Sequence, residues 1–553
     1  MLGGKRSFYF CLLTAAFLGS TAERTLAAAP SAAGAAAAGA FPSPSGLRLR
    51  PMQEADEPQL RPLQEEPSAA PAGGPVIGAV VPTGGEDLPR ATLMAAVAPF
   101  VGQAASPETL KALTIAVTRL ARSQGFIFVR CFVPAQTIEA GVLKVTIDLG
   151  RIDEVRFNGP GNGAVKGLFD KLVGKPVRKG DLDRALMLAS DVPGVTIGRP
   201  DYQRLDGRGV LTVPIGYTKF TGGVLADNRG LKGEGPARLQ AAAAARGFMT
   251  DRDEVSAQII TTPGNTRELV SVSGRYSIDI NPNGTSISAT YGYLHANPNY
   301  VASAPLPNVD IQSAEVSLTQ VLLRRSAQSA WLDLAFNYAS SRQSLGWWQE
   351  IDRIPTVYGD VNGYAPLLGG RLRAGVSAAY ELRALDVTPV ILSGPDGIVY
   401  DNSGFVMVDG WANWTGQVFG PLSATVAVTA QTADRPLPFL QKISLGGPAF
   451  GRAYELGERT GDRGVMGSAE LRAMLLKHDD SWIRRLEFYL YTDGGKVTNL
   501  YSAAGGGELY SYGAGLRAEL AHNLKLGLEI AEPITQLPDA KSPRVNATVE
   551  SDF

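Results

Sequence analysis

A chain of 553 residues exceeds one ordinary domain of about 100–200 residues, so several domains, or small domains and one large one, are expected. Its formal net charge of -1 excludes the strongly basic surface of a nucleic-acid binder. Its hydrophobic residues come in short pieces, and past the N-terminus there is no run of about 18 apolar residues to cross a membrane as a helix.

The N-terminus reads as a secretory signal over residues 1–29. Lys5 and Arg6 precede the apolar stretch Phe8–Leu18, and Ala27-Ala28-Ala29 offers a small-residue cleavage site. Cys11 follows the bulky Phe8-Tyr9-Phe10, a poor context for lipid attachment, and leaves with the signal. Cys131 is then the one mature cysteine, so no intrachain disulfide forms; it reads as a small buried hydrophobe. Residues 30–75 are rich in Ala, Pro and Glu and are expected to be a linker or disordered arm, with Pro51, Pro58, Pro62 and Pro67 interrupting any long helix.

Residues 76–149 change character. Val76-Ile77 and Val80-Val81 suggest a strand, and two helical stretches follow. In the second, Ser106 is placed to cap, Pro107 suits the first helical position, and Leu110, Leu113, Val117 and Leu120 share a face that Gly125 ends. Short strands are expected around Phe126–Phe132 and Val142–Leu149. The β-α-α-β-β order then repeats over 150–216: a strand through Ile152, Val155 and Phe157, a helix over about 164–172, another capped by Asp181, and strands near Thr196–Leu205 and Val210–Ile215.

From about Tyr217 to Phe553 the helical period gives way to alternation. Val270, Val272, Tyr276, Ile278 and Ile280 form one row, and Ser271, Ser273, Arg275, Ser277 and Asp279 the other. Asn281-Pro282-Asn283-Gly284 is a turn. The pattern returns at Leu332–Tyr338, Ala424–Val428, Leu486–Leu490, Leu524–Ile530 and Val545–Phe553. A soluble sandwich also alternates, but it needs far fewer residues. Apolar rows with Tyr and Phe near their ends, opposite rows of Ser, Thr, Gly, Asp and Arg, describe a transmembrane β-barrel in lipid with a wet lumen. At about 21 residues per strand and connection, this region holds about 16 antiparallel strands. Ala296–Asp310 and Leu345–Ala365 read as long extracellular loops.

Catalytic chemistry is thin. His295, His478 and His522 are scattered, no His/Cys cluster has metal spacing, and neither a G-x-x-x-x-G-K-[ST] nor a G-x-S-x-G motif occurs. Ala504-Gly505-Gly506-Gly507 lacks a following helix and reads as a flexible loop rather than a phosphate cradle. No catalytic residue, metal or cofactor is expected, and the chain is read as a non-enzyme.

Three motifs carry a resemblance. Gly125-Phe126-Ile127 through Val133-Pro134-Ala135-Gln136-Thr137-Ile138-Glu139-Ala140-Gly141 resembles the Gly-aromatic…Pro-x-Gln-x-Ile-x-x-Gly signature of POTRA domains in two-partner secretion transporters of the haemolysin-activator type, the TpsB family. Gly446-Gly447-Pro448-Ala449-Phe450-Gly451-Arg452-Ala453-Tyr454, followed by Thr460-Gly461-Asp462-Arg463-Gly464, is similar to that family's sixth extracellular loop, which folds into the lumen. Tyr491-Thr492-Asp493-Gly494-Gly495 resembles its aromatic-x-Asp-x-Gly wall motif, and Phe553 its terminal aromatic.

The resemblance implies two periplasmic POTRA domains before an outer-membrane barrel that exports a TpsA-like exoprotein without nucleotide. It marks Pro134, Gln136 and Gly141 as the POTRA signature and Arg452, Tyr454, Asp493 and Gly495 as a loop-to-wall lock. Phe553 becomes the signal to the barrel assembly machinery. Arg452 is expected to present its fork bidentately to Asp493, with Gly494 and Gly495 leaving room for the loop. Ala453 stands where the family has Gly and is expected to cost the loop backbone freedom. The family's pore-plugging helix would fall in the proline-broken arm. Rival readings are an outer-membrane assembly factor of the same superfamily, which carries more POTRA modules, and a passive porin or adhesin, which needs no docking modules.

Overall fold

The structure, a computed structural model, describes residues 74–553 apart from 161–162, 231–234, 265–267, 298–307, 346–347, 383–389, 395–396, 402–403, 479–480, 502–504 and 538–539. The signal and arm expected over 1–75 lie almost wholly outside the described residues. The chain forms two compact units.

The first unit holds two α+β modules. In the first, β1 (Ala79–Thr83), α1 (Arg90–Val97), α2 (Pro107–Ser123), β2 (Arg130–Phe132) and β3 (Val142–Asp148) build a sheet of order β1-β3-β2, with β1 parallel to β3. Ser106 accepts a hydrogen bond from Thr109 N at 3.2 Å, a cap worth about 1 kcal/mol. Leu110, Leu113 and Val117 of α2 bury against Leu143, Val145 and Ile147 of β3. Cys131 is half-buried, and burial pushes its thiol up to about 12, as suits a packing residue.

The second module runs β4 (Glu154–Asn158), α3 (Gly163–Phe169), α4 (Lys179–Asp191), β5 (Val195–Ile197), β6 (Asp201–Leu205) and β7 (Arg208–Tyr217). The strand expected at Thr196–Leu205 is broken at Gly198-Arg199-Pro200 into two, both antiparallel to β7. Asp181 is not the cap of α4: Arg178 holds that place in extended backbone, and Leu182 N bonds to its carbonyl at 3.1 Å. Two contacts start the helix early: Val177 is buried, and Lys179 N bonds to Gly125 O at 2.8 Å. Asp181 still favours the helix dipole from the first turn. Phe128 stacks on Tyr202 with centroids 3.9 Å apart, tying the two modules together.

The second unit is a closed antiparallel barrel of 16 strands. They begin with β8 (Phe220–Asp227), β9 (Arg238–Arg246), β10 (Asp253–Thr261), β11 (Leu269–Asn281), β12 (Thr285–Ala296) and β13 (Asn308–Arg324). β14 (Ser329–Leu345), β15 (Trp348–Leu367) and β16 (Gly370–Glu381) follow, then a hairpin outside the barrel wall, β17 (Val390–Gly394) and β18 (Gly397–Asp401). Next come β19 (Val406–Phe419), β20 (Leu422–Ala433) and a small ladder, β21 (Ile443–Leu445) with β22 (Arg459–Gly461). β23 (Arg463–Lys477), β24 (Ile483–Thr498), β25 (Gly507–Leu520), β26 (Leu524–Pro533) and β27 (Arg544–Asp552) complete it.

The alternation sorts as expected. Val272, Leu334, Val426, Leu490, Leu528 and Val549 are exposed on the outer face, while Ser271, Asp333, Thr425, Asp493, Glu529 and Glu550 are buried inside. Among the described residues no helix is long and apolar enough to cross a membrane. The turn at 281–284 forms: Asn281 Oδ1 accepts from Asn283 N at 2.8 Å, and Gly284 takes φ +86.

One expected loop is strand instead. Leu345–Ala365 falls mostly in β15, whose Pro355 pairs with Tyr338 of β14. Its carbonyl accepts from Leu382 N on the β16 side, so its missing N–H faces that same side, where the β15–β16 ladder has ended at Thr356. Proline is tolerated at such an edge. Most of the other expected loop, Ala296–Asp310, lies outside the described residues.

The first and last barrel strands close the ring. Gly223–Asp227 pair with Thr548–Asp552, and Gly222 exchanges both backbone hydrogen bonds with Phe553, at 2.8 and 2.9 Å. Past the ladder, the Asn228 side chain acts as a strand would: its Nδ2 donates to Val545 O at 2.9 Å and its Oδ1 accepts from Ala547 N at 2.8 Å.

Candidate functional site

The segment between β20 and β23 packs against the inner wall. At its base β21 pairs with β22, and Asp462, fully buried, accepts from Leu437 N (2.9 Å) and Leu500 N (2.7 Å) and meets Lys442 Nζ at 2.9 Å. Thr460 N bonds to Gly505 O at 3.0 Å, so the described part of the glycine-rich stretch steadies this base. Gly446 and Gly447 sit at φ +106 and +103, backbone that a side chain resists. Their N–H groups bond to Phe450 O and Gly451 O, which curls the loop on itself. Ala449, Phe450, Ala453 and Tyr454 then bury with Met466, Tyr489, Tyr491 and Leu509 of the wall. Ala453 is not among the residues with positive φ, so it costs the loop no strain, and its methyl packs in this cluster.

Arg452 stands at the centre, 3 % exposed. Its geometry departs from a bidentate fork on one carboxylate. Nη1 meets Glu470 at 3.0 Å and Glu529 at 3.2 Å. Nε lies 3.3 Å from Asp493 Oδ2, too poorly aligned for a hydrogen bond, and the Arg452 backbone N–H donates to that oxygen at 3.4 Å. The guanidinium lies 4.0 Å from the centroid of the Tyr491 ring. Each carboxylate has further partners. Glu470 meets Arg472 at 2.6 Å and Arg517 at 2.8 Å. Glu529 meets Arg229 at 3.0 Å and accepts from the Tyr489 hydroxyl at 2.9 Å. Asp493 accepts from the Ser511 hydroxyl. Four arginines and the acids of three strands thus share one network, the arrangement that charges require inside a barrel.

Tyr454 holds the next turn. Its hydroxyl lies 2.7 Å from Tyr510 O and 2.8 Å from Thr535 O and accepts from Thr535 N at 3.0 Å. The glycines of the wall motif serve their neighbouring strands rather than the loop. A Cβ on Gly495 would meet Val465 O at 2.4 Å, and one on Gly494, at φ +150, would meet Leu509 O at 2.2 Å.

The structure therefore brings Arg452, Tyr454, Asp493 and Gly495 into one region of the wall. Sequence reading missed Glu470 and Glu529. Their trace was there: each is an acid in the inward row of an apolar-out strand, Ala469-Glu470-Leu471 and Leu528-Glu529-Ile530.

The remaining site residues lie elsewhere. In the first module the Gln136 amide completes β3 beyond the reach of β2: Nε2 donates to Lys144 O at 2.7 Å and Oε1 accepts from Lys144 N at 2.9 Å. Nε2 also lies 3.3 Å from Pro134 O. Gly141, at φ +73, leaves room for β1, since a Cβ there would meet Gly78 N at 2.9 Å. Phe553 lays its ring over Gly222, where a Cβ would come within 2.7 Å of it. Among the described residues, no group of three or more His, Cys, Asp and Glu could hold a metal ion.

Comparison with known proteins agrees with this architecture. Residues 76–150 match the family model "POTRA domain, ShlB-type". The heme/hemopexin transporter protein HuxB of Haemophilus influenzae (strain 86-028NP) is 23% identical over 461 residues, covering 79% of each chain. The structure of CdiB from Escherichia coli superposes with a TM-score of 0.72 at 18% identity, covering 91% of this chain and 94% of that one. BamA from Haemophilus ducreyi lacking POTRA domains 1–3 gives 0.51 at 13% identity, covering 87% and 100%. The relatives that are named by function are transporters. In its ShlB-type POTRA domain, its closed 16-strand barrel and its homology to HuxB and CdiB, the chain is similar to two-partner secretion outer-membrane transporters.

Proposed function

We propose that the periplasmic modules of this chain hold an unfolded, haemolysin- or adhesin-like exoprotein, which the barrel passes to the cell surface without nucleotide. The observation that carries this reading is a closed polar-lined barrel with one of its own loops pinned to the inner wall through Arg452. Such a pore does not leak at rest, and moving a single loop opens it. The edges of the module sheets, β1, β2 and β4, supply main-chain hydrogen bonds to an extended guest with little demand on its sequence. Folding of the guest outside drives export, so neither catalysis nor a cofactor enters the cycle.

In this reading Arg452, Tyr454, Asp493 and Gly495, joined by Glu470 and Glu529, hold the loop. Pro134, Gln136 and Gly141 shape the first module. Phe553 presents the finished last strand to the barrel assembly machinery, and the outer face meets outer-membrane lipid. Residues 1–29 direct export to the periplasm and 30–75 link to the modules.

The test is co-expression with a candidate exoprotein, a large β-helical protein encoded by a neighbouring gene, in a strain lacking both. Exoprotein is expected in the medium only when the barrel is present. A heat-modifiable barrel in the membrane with no exoprotein outside overturns the proposal.

A further inference from the structure

The inner wall opposite in sequence to the Arg452 network, on β15, β16 and β19, is built differently. Asp360, Ser377 and Asp409 lie in one cross-strand row, and Asn362, Gly375 and Trp411 in the next. These side chains face inward, since Val361, Val376 and Val408 of the alternate positions are exposed on the outer face. Asp360, Asn362 and Asp409 are 1%, 2% and 3% exposed. Among the described residues, four polar atoms of this patch have no hydrogen-bond partner: Asp360 Oδ2, Asn362 Oδ1, Asp409 Oδ2 and Trp411 Nε1. Their other bonds are internal. Asn362 Nδ2 donates to Asp360 and, at 3.1 Å, to Asp333, and Ser377 Oγ donates to Asp409 at 2.7 Å. Among the described residues no cation pairs with Asp360 or Asp409. Leaving such atoms unmet inside a protein is costly, and natural structures rarely do so without use.

We infer that this patch is a binding site for a cationic side chain, arginine or lysine, of a polypeptide in the lumen. Three vacant acceptors, two of them carboxylate oxygens, call for a positively charged donor group. Asp360 and Asp409 sit two strands apart, about 9–10 Å between their main chains, a gap that a guanidinium lying over Ser377 bridges. The Trp411 ring beside them offers a face to the cation, and its N–H meets a carbonyl of the same guest backbone. Gly375 keeps the floor open: a Cβ there would come within 2.7 Å of Trp411 Nε1 and 3.0 Å of Asn362 Cβ. The site names a substrate feature for the transport proposed above and rests on that reading.

The probe is fluorescein-labelled octa-arginine, with octa-glutamate as control, bound to the detergent-solubilised full chain in 150 mM NaCl and read by anisotropy. The same titration runs in the Arg452→Ala background, where the loop is loosened. Asp360→Asn with Asp409→Asn is expected to weaken octa-arginine at least tenfold in one or both backgrounds. Trp411→Phe, which keeps the ring and loses the N–H, is expected to weaken it about threefold, and octa-glutamate is not expected to bind. Asp409→Glu restores most of the affinity. Should the double variant lose its heat-modifiable barrel, Gly375→Ala, which pushes on Trp411 without touching charge, is expected to weaken the peptide severalfold. Equal affinity in all variants overturns the site. So does binding of MgCl2 alone, with octa-arginine unaffected, which makes the patch a small-ion site. A chain that binds the peptide as expected yet exports nothing keeps the site and overturns the transport reading instead.

Discussion

The module unit and the barrel solve the same backbone problem in opposite ways. A sheet edge carries unpaired N–H and C=O groups. The modules keep short edges and patch them with side chains, as Gln136 does for Lys144. The barrel abolishes its edges by pairing its first and last strands, and patches the seam with Asn228. An extended guest can therefore pair by main chain at the modules. Inside the barrel only side chains are available to it.

The hardest way to break this comparison is to remove one half. Deletion of 76–215 is expected to leave a barrel that inserts and conducts in planar bilayers while exoprotein in the medium falls to background. Export at the normal level by the bare barrel would show that edge pairing is dispensable.

A smaller but still large effect is expected at the interior. Arg452→Ala leaves Asp493 with the Ser511 hydroxyl and the backbone N–H of residue 452 but without its cation, whereas Glu470 and Glu529 keep other arginines. A charge-assisted contact of this kind is worth about 1–3 kcal/mol, so the loop's bound population is expected to fall by about tenfold or more. Single Glu470→Gln and Glu529→Gln changes are expected to do less, and adding Asp493→Asn to Arg452→Ala to cost nothing further. Exoprotein in the medium, normalised to barrel in the membrane, gives the comparison; losses that simply multiply would mean that Arg452 and Asp493 act apart.

Closure is next. Removing Phe553 takes away the two backbone bonds to Gly222 and the ring over it, and barrel in the outer membrane is expected to drop severalfold. Gly222→Leu, which collides with that ring, is expected to lower the level in the same direction. Unchanged levels on immunoblots at 30 and 42 °C, growth temperatures of roughly the mesophile range, would remove Phe553 from closure.

The mildest test is the patch on the module edge. Gln136→Ala leaves the Lys144 N–H and C=O to water, a loss of about 1 kcal/mol. Hydrogen exchange at Lys144 in the full-length protein is expected to quicken about fivefold while α2 amides stay as they were. Uniform quickening across the module would give Gln136 a global role instead.

Much of this was legible along the chain. A period of two carries its own face assignment, so Val426 and Val428 outward and Thr425 inward follow from alternation alone. Ser106 announced its helix because a cap acts within three residues. Asp181 misled for the complementary reason: the start of α4 is decided by Gly125, far away in sequence, which bonds to Lys179. Leu345–Ala365 misled because proline and glycine signal a loop only where the missing N–H has a ladder to disrupt, and Pro355 faces a ladder's end.

The sequence by itself determined the element types, the alternation that makes a barrel, and the motifs that brought Arg452 and Asp493 to attention. It did so because periodicity, caps and turns are local and each residue reports its own neighbourhood. Only the tertiary structure decided which charges share a partner. Arg452 is shared among Glu470, Asp493 and Glu529 because β23, β24 and β26 present inward acids on three successive rows of the wall. Among the described residues Asp360 and Asp409 are left without a cation, because β16, between their strands, offers Ser377 in the same row. Strand register sets these rows, and register depends on how distant strands close around a ring rather than on any one of them.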